Sequence, residues 1–160
     1  MITDVTLSRI NHGVALHHQR GRRAAARDLF TRIWAEIGAG RGDPLHVCVL
    51  AHAMADVQDD PHQELLWDQR ALTAAGSLTD ERLAHAGVPM TVAALYPSLH
   101  LNLGDCYRRL GDLDRAREQL DLARTAIGAL GDDAYGDLIR AGLNQLARRL
   151  AAGNPPGPTP

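Results

Sequence analysis

The stretch HLNLGDCYRRLGDLDRAREQLDLA, His100 to Ala123, decides the fold. It reads as two short amphipathic helices joined by a turn at Gly111–Asp112. Leu103, Gly104 and Tyr107 share one face of the first helix at helical spacing, and Ala116, Leu120 and Ala123 share one face of the second. Gly104 and Ala116 carry almost no side chain, so two helix backbones can approach closely there. Tyr107 and Leu120 fill the space beside them.

Leu–Gly, a tyrosine three residues on, then alanine, a bulky apolar residue four on and alanine three on resembles the tetratricopeptide repeat (TPR) family. The resemblance implies an all-α fold: a short right-handed array of about three helical hairpins plus a C-terminal capping helix, as one domain over residues 1–152. It also implies a mode of action, in which the first helix of each repeat lines a concave groove that holds a peptide or a partner helix.

Working outward, Gly21 breaks an earlier pair of helices. Leu7, Ile10, Val14 and His17 form a stripe before it, and Ala26, Phe30 and Ile33 form one after it. Superposing Gly21 on Gly111 puts Ala26 on Ala116 and Phe30 on Leu120, with Gly13 and Val14 standing where Leu103 and Gly104 do. The glycine-rich run Gly38–Gly42 separates units; no strand precedes it, so it is a turn rather than a phosphate loop. Asp43-Pro44 starts the next helix, Leu45 to Val57, with Asp43 as cap and Pro44 in the first turn. Asp60-Pro61 starts its partner, and the distance from Ala51 to Trp67 matches that from Gly104 to Leu120, which puts Trp67 on the large apolar position.

An insertion at about 76–96 follows. Thr79 caps a short helix, Asp80 to Ala86, that ends at Gly87. Val88-Pro89 opens another that runs through Leu95 into the third repeat, with a kink at Pro97 that leaves the Ala93 carbonyl free. Gly131-Asp132-Asp133 restarts a last helix whose inner stripe is Tyr135, Leu138, Ile139, Gly142, Leu143, Leu146 and Leu150. Residues 153–160 read as a disordered tail.

Bulk properties exclude several classes. A formal charge of −2 recruits neither nucleic acid nor an anionic membrane. No apolar run approaches the ~18 residues of a membrane span. The amino terminus lacks the pattern of a signal peptide. All seventeen basic residues are arginine, a matter of base composition. Cys48 and Cys106 show no metal spacing and read as free thiols of a reducing compartment, so a cytoplasmic location is expected.

Counted from repeat starts at Leu7, Pro44 and Pro97, the groove positions are Ser8, Asn11, Ala15, His18 and Gln19; Leu45, Cys48, His52, Ala55 and Asp56; and Ser98, Leu101, Asp105, Arg108 and Arg109. Tyr135 and Ile139 of the capping helix close the far end. The partner-binding set is therefore Asn11, His18, His52, Asp56, Ser98, Asp105, Arg108, Arg109 and Tyr135. The family's branch that clamps a peptide carboxylate needs lysines, and this chain has none.

His52 and Asp56, four apart on one face, have the spacing of two ligands to one ion, with His18 and Asp105 as further candidates. A mutual hydrogen bond explains the pair more simply, so no metal and no cofactor is expected. His100 stands on the repeat's usual tryptophan position and reads as a buried, hydrogen-bonded side chain. Asp59-Asp60 and Asp132-Asp133 sit at helix starts, where capping accounts for them. No nucleophile elbow, HExxH, P-loop or dinucleotide fingerprint is present. The expected function is a non-catalytic protein-interaction scaffold that leaves homo-oligomerisation open; the alternative is a small-molecule or metal-binding protein using the polar groove residues.

Overall fold

Six helices begin at a side chain that accepts a hydrogen bond from an otherwise unpaired first-turn amide. The computed structural model describes residues 4–153, and all eight α-helices among them follow the punctuation of the sequence. They are α1 (Val5–His18), α2 (Arg23–Glu36), α3 (Pro44–Asp56), α4 (Pro61–Ala75), α5 (Asp80–His85), α6 (Tyr96–Arg109), α7 (Leu113–Ala126) and α8 (Ala134–Ala152), with short 3-10 turns at Ala39–Arg41, Ala93–Leu95 and Ile127–Ala129. The caps are Asp4, Asp43, Asp60, Thr79, Asp112 and Asp133. Each contributes about 1 kcal/mol. No strand occurs among the described residues, and none of their helices is long and apolar enough to cross a membrane. Residues 1–3 and the predicted tail from 154 onward lie outside the described residues.

The chain divides into two compact units at Val92/Ala93. In the first, α1 packs on α2 and α3 on α4. Ile10, Phe30, Ile33, Leu45, Leu50 and Leu83 are among its most buried side chains. The α1 stripe begins as expected with Leu7 and Ile10 buried, but its second half lies one residue off. Gly13 and Leu16 are buried, whereas Val14 and His17 are only partly so. The Phe30 ring lies on Gly13, where a Cβ would overlap Cε1 of the ring.

In the second unit α6, α7 and α8 pack on one another. Gly111 takes φ +84°, and the amide of Asp112 returns to the carbonyl of Tyr107 at 2.9 Å, closing the expected turn. Ala116, Leu120, Ala123, Ile139, Leu143, Leu146 and Leu150 make one core. Leu138 does not join it and is 68% exposed.

Counting from the cap position aligns the three second helices. Phe30, Asp68 and Leu120 each stand eight residues past Arg22, Asp60 and Asp112, and Ile33, Ala71 and Ala123 stand eleven past; all six are buried. Asp68, 2% exposed, therefore takes the large apolar position expected for Trp67, which is only half-buried.

Pro97 makes no kink. It lies in the first turn of α6, where its missing amide has no intrahelical partner to lose. The Val88–Leu95 segment is not a helix running into α6 but a bend followed by the 3-10 turn at Ala93.

Candidate functional site

Within the second unit, one carboxylate on α6 gathers three guanidinium groups. Arg108 directs Nε and Nη2 at Asp105 Oδ1, at 3.1 and 2.9 Å, and Arg109 Nε donates to Oδ2 at 3.1 Å. Both partners are on the same helix, three and four residues on, where helical geometry puts side chains side by side. From α8, Arg149 Nη1 comes within 3.7 Å of Oδ1. Three guanidinium groups thus approach one carboxylate. Arg108 keeps part of its planar donor fork for another acceptor.

The remaining predicted groove residues have different surroundings. Ser98 is half-buried, and its hydroxyl donates to the Leu95 carbonyl at 3.0 Å. Tyr135 packs against the apolar core of its unit. Asn11 and His18 are exposed on α1, with the His18 ring 4.6 Å from that of His17. On α3, His52 is half-buried and Asp56 exposed. Leu45, Cys48 and Ala55, counted as groove positions, are buried instead at 1%, 4% and 2% exposure. Among the described residues, His18, His52 and Asp56 do not bring three ligand atoms together. Asp105, Arg108 and Arg109 are the predicted residues that the structure joins in one cluster.

His100 is buried, its Nδ1 lying 2.7 Å from Gln119 Oε1 and its ring stacked on Tyr96 at 6.0 Å. An amide oxygen only accepts, so Nδ1 carries the proton. The histidine is a hydrogen-bonded packing residue, as its position in the sequence suggests.

A second ionic network sits in the first unit and ties the insertion to the starts of α1 and α3. Asp4 caps α1 and also meets His46 Nε2 at 2.8 Å; Asp43 caps α3 and accepts from Arg82 Nη2 at 2.7 Å. Arg82 belongs to α5, and its Nη2 lies 3.6 Å from Asp4 as well. Burial pushes both carboxyls up, but hydrogen bonds from His46 and Arg82, the capped amides and the neighbouring positive charge outweigh it and hold both below the ordinary carboxylate range. The Asp43 hydrogen bond raises Arg82 correspondingly. Both aspartates are engaged by caps and partners, which marks this as a clasp rather than a reactive centre.

A further cluster joins Trp67, read from sequence as a core position, to two residues that the sequence did not single out. Trp34 on α2 meets Trp67 on α4 edge to face at 4.9 Å, and the Arg70 guanidinium lies 4.3 Å from the Trp67 ring centre and 5.7 Å from that of Trp34. Beside it opens a cavity of ≈ 520 Å³. These are the only two tryptophans of the chain, a signal visible in the composition.

No family model matches the chain, and no curated protein or solved structure matches it.

Proposed function

We propose that the chain is a non-catalytic interaction module of the TPR type, in which the face of α6 expected to line the concave groove captures an acidic peptide or the acidic face of a partner helix. Two features support the TPR reading. Apolar residues recur at the same distances past the caps of α2 and α7, and Gly104 lies close to Ala116 across the α6–α7 hairpin. The observation that carries the functional reading is Arg108, held by two hydrogen bonds to Asp105 within a cluster of three guanidinium groups. An arginine held in one geometry loses less conformational freedom on meeting a carboxylate than a mobile one. The reading gives the protein a soluble cytoplasmic role with a protein partner and no cofactor.

The test is a library of blocked decapeptides in which acidic residues are scanned through every position. Acidic members should bind, with a steep loss on adding salt. Arg108→Ala should weaken them about ten- to a hundredfold, the scale of one hydrogen bond between charged groups. Arg124→Ala, an exposed arginine of α7, should leave them unchanged. Equal binding by the two variants refutes the assignment.

A further inference from the structure

The cavity beside the tryptophan pair lies wholly within the first unit and shares no residue with the α6 arginine cluster. Its walls are mainly apolar, from Trp34, Val47, Leu66 and Ala74, with Gln69, Arg70 and Thr73 of α4 and Ser77 as polar residues. Its volume falls within the range of small-molecule sites, and a few polar groups in an apolar cleft is the usual composition of such sites.

Arg70 gives the cavity a chemical preference. Among the described residues it forms no ion pair and no hydrogen bond; its contacts are the faces of the two indoles. A guanidinium stacked on an aromatic ring turns its flat surface to that ring and its N–H donors sideways. Contact with the indoles therefore holds the cation in place while its N–H donors stay unused. A half-buried cation without a carboxylate at the rim of an apolar pocket is complemented by a ligand that supplies one. Trp34 and the aliphatic walls offer a planar ring a surface to lie on.

We propose that this cavity binds a small planar aromatic carboxylate, with the ring against Trp34 and the carboxylate on the edge of the Arg70 guanidinium. Two N–H donors of the fork match the two carboxylate oxygens. Contact with Trp67 holds the guanidinium beside the cavity.

The test uses 2-naphthoate and its uncharged counterpart 2-naphthalenemethanol, each titrated calorimetrically into the full chain while tryptophan emission is followed. The carboxylate should bind saturably, quench the emission and bind at least about tenfold more tightly than the alcohol. Arg70→Gln should bring the two probes to equal affinity. Ala74→Phe, which fills part of the cavity without touching the charge, should abolish binding of both. Should Arg70→Gln fail to fold, the wild-type comparison of the two probes together with Ala74→Phe still decides the matter. Equal affinity of acid and alcohol for the wild type overturns the proposal. So does naphthoate binding that survives Ala74→Phe, or an absence of saturable binding at millimolar probe.

Discussion

Replacing Gly104 by alanine separates two effects of opposite sign. Alanine in a helix interior is favoured over glycine by about 1 kcal/mol, so propensity alone predicts a more stable protein. Position 104 has no room for the gain. A Cβ built there lies 2.8 Å from Leu146 Cδ2 and 3.4 Å from both the Ala116 carbonyl oxygen and Gln119 Cβ. Leu146 is 2% exposed and Ala116 fully buried, so neither can yield without disturbing the core they share. Overpacking of this kind costs about 1–3 kcal/mol. The net change is a loss of up to about 2 kcal/mol, and a melting point lower by about 2–4 °C for each kcal/mol in a chain of this size. Gly142→Ala is the internal control. Its Cβ would lie 2.7 Å from Leu101 Cδ2, but its other close atoms, at 3.8 Å, belong to the same half-buried leucine, which can turn aside. That variant should keep most of the propensity gain and melt at or slightly above wild type. Thermal unfolding followed by circular dichroism reads both. If Gly104→Ala melts as high as Gly142→Ala, the packing of Leu146 over Gly104 is not what position 104 requires.

Phe30→Ala removes a 1% exposed ring seated on Gly13 and should cost about 3–5 kcal/mol, measured by urea denaturation. The carboxyls of Asp4 and Asp43 have folded pKa values below their unfolded ones. Their contribution to stability is therefore complete above the ordinary carboxylate range, about pH 4, and is lost as pH falls through the lowered folded values. Arg82→Gln should flatten that acid limb in urea midpoints taken from pH 6 to pH 3 and should speed proteolysis within the insertion. Burial raises the Cys48 thiol to about 11, and both cysteines are buried and outside any disulfide. Neither should label with a water-soluble disulfide reagent at pH 8 until the protein is unfolded.

Local signals in the sequence were read correctly because capping is a contact between near neighbours. Asp43, Asp60, Thr79 and Asp133 each name the start of a helix, and each accepts a first-turn amide there. The His100–Ala123 hairpin carries its own register through Gly104, Gly111 and Ala116. Transferring that register to the other hairpins failed in one helix of each, and the linkers explain why. Four residues join α1 to α2 and α3 to α4, whereas three join α6 to α7. A count that is right for α2 is then one residue out in α1, where Gly13 and Leu16 rather than Val14 and His17 turn inward. On α4 the same slip exchanges Trp67 for Asp68.

Groove positions suffered for another reason. α3 is buried on nearly every side, so helical spacing alone could not sort Leu45, Cys48 and Ala55 from the exposed Asp56. The Asp105–Arg108–Arg109 cluster was legible because its members are neighbours on one helix. Arg149 of α8 joins through tertiary packing, and Arg70 meets Trp34 in the same way, neither of which any spacing announces.

The measurement that bears most directly on the proposed activity is an amide chemical-shift map of the labelled chain, titrated with the strongest decapeptide from the acidic scan. Saturating shifts should concentrate on α6 from Asp105 to Arg109 and on α8 around Arg149, and should vanish in Arg108→Ala while the remainder of the spectrum stays in place. Shifts confined to other helices, or an unaltered map in Arg108→Ala, would contradict the assignment of the α6 face as the site of capture.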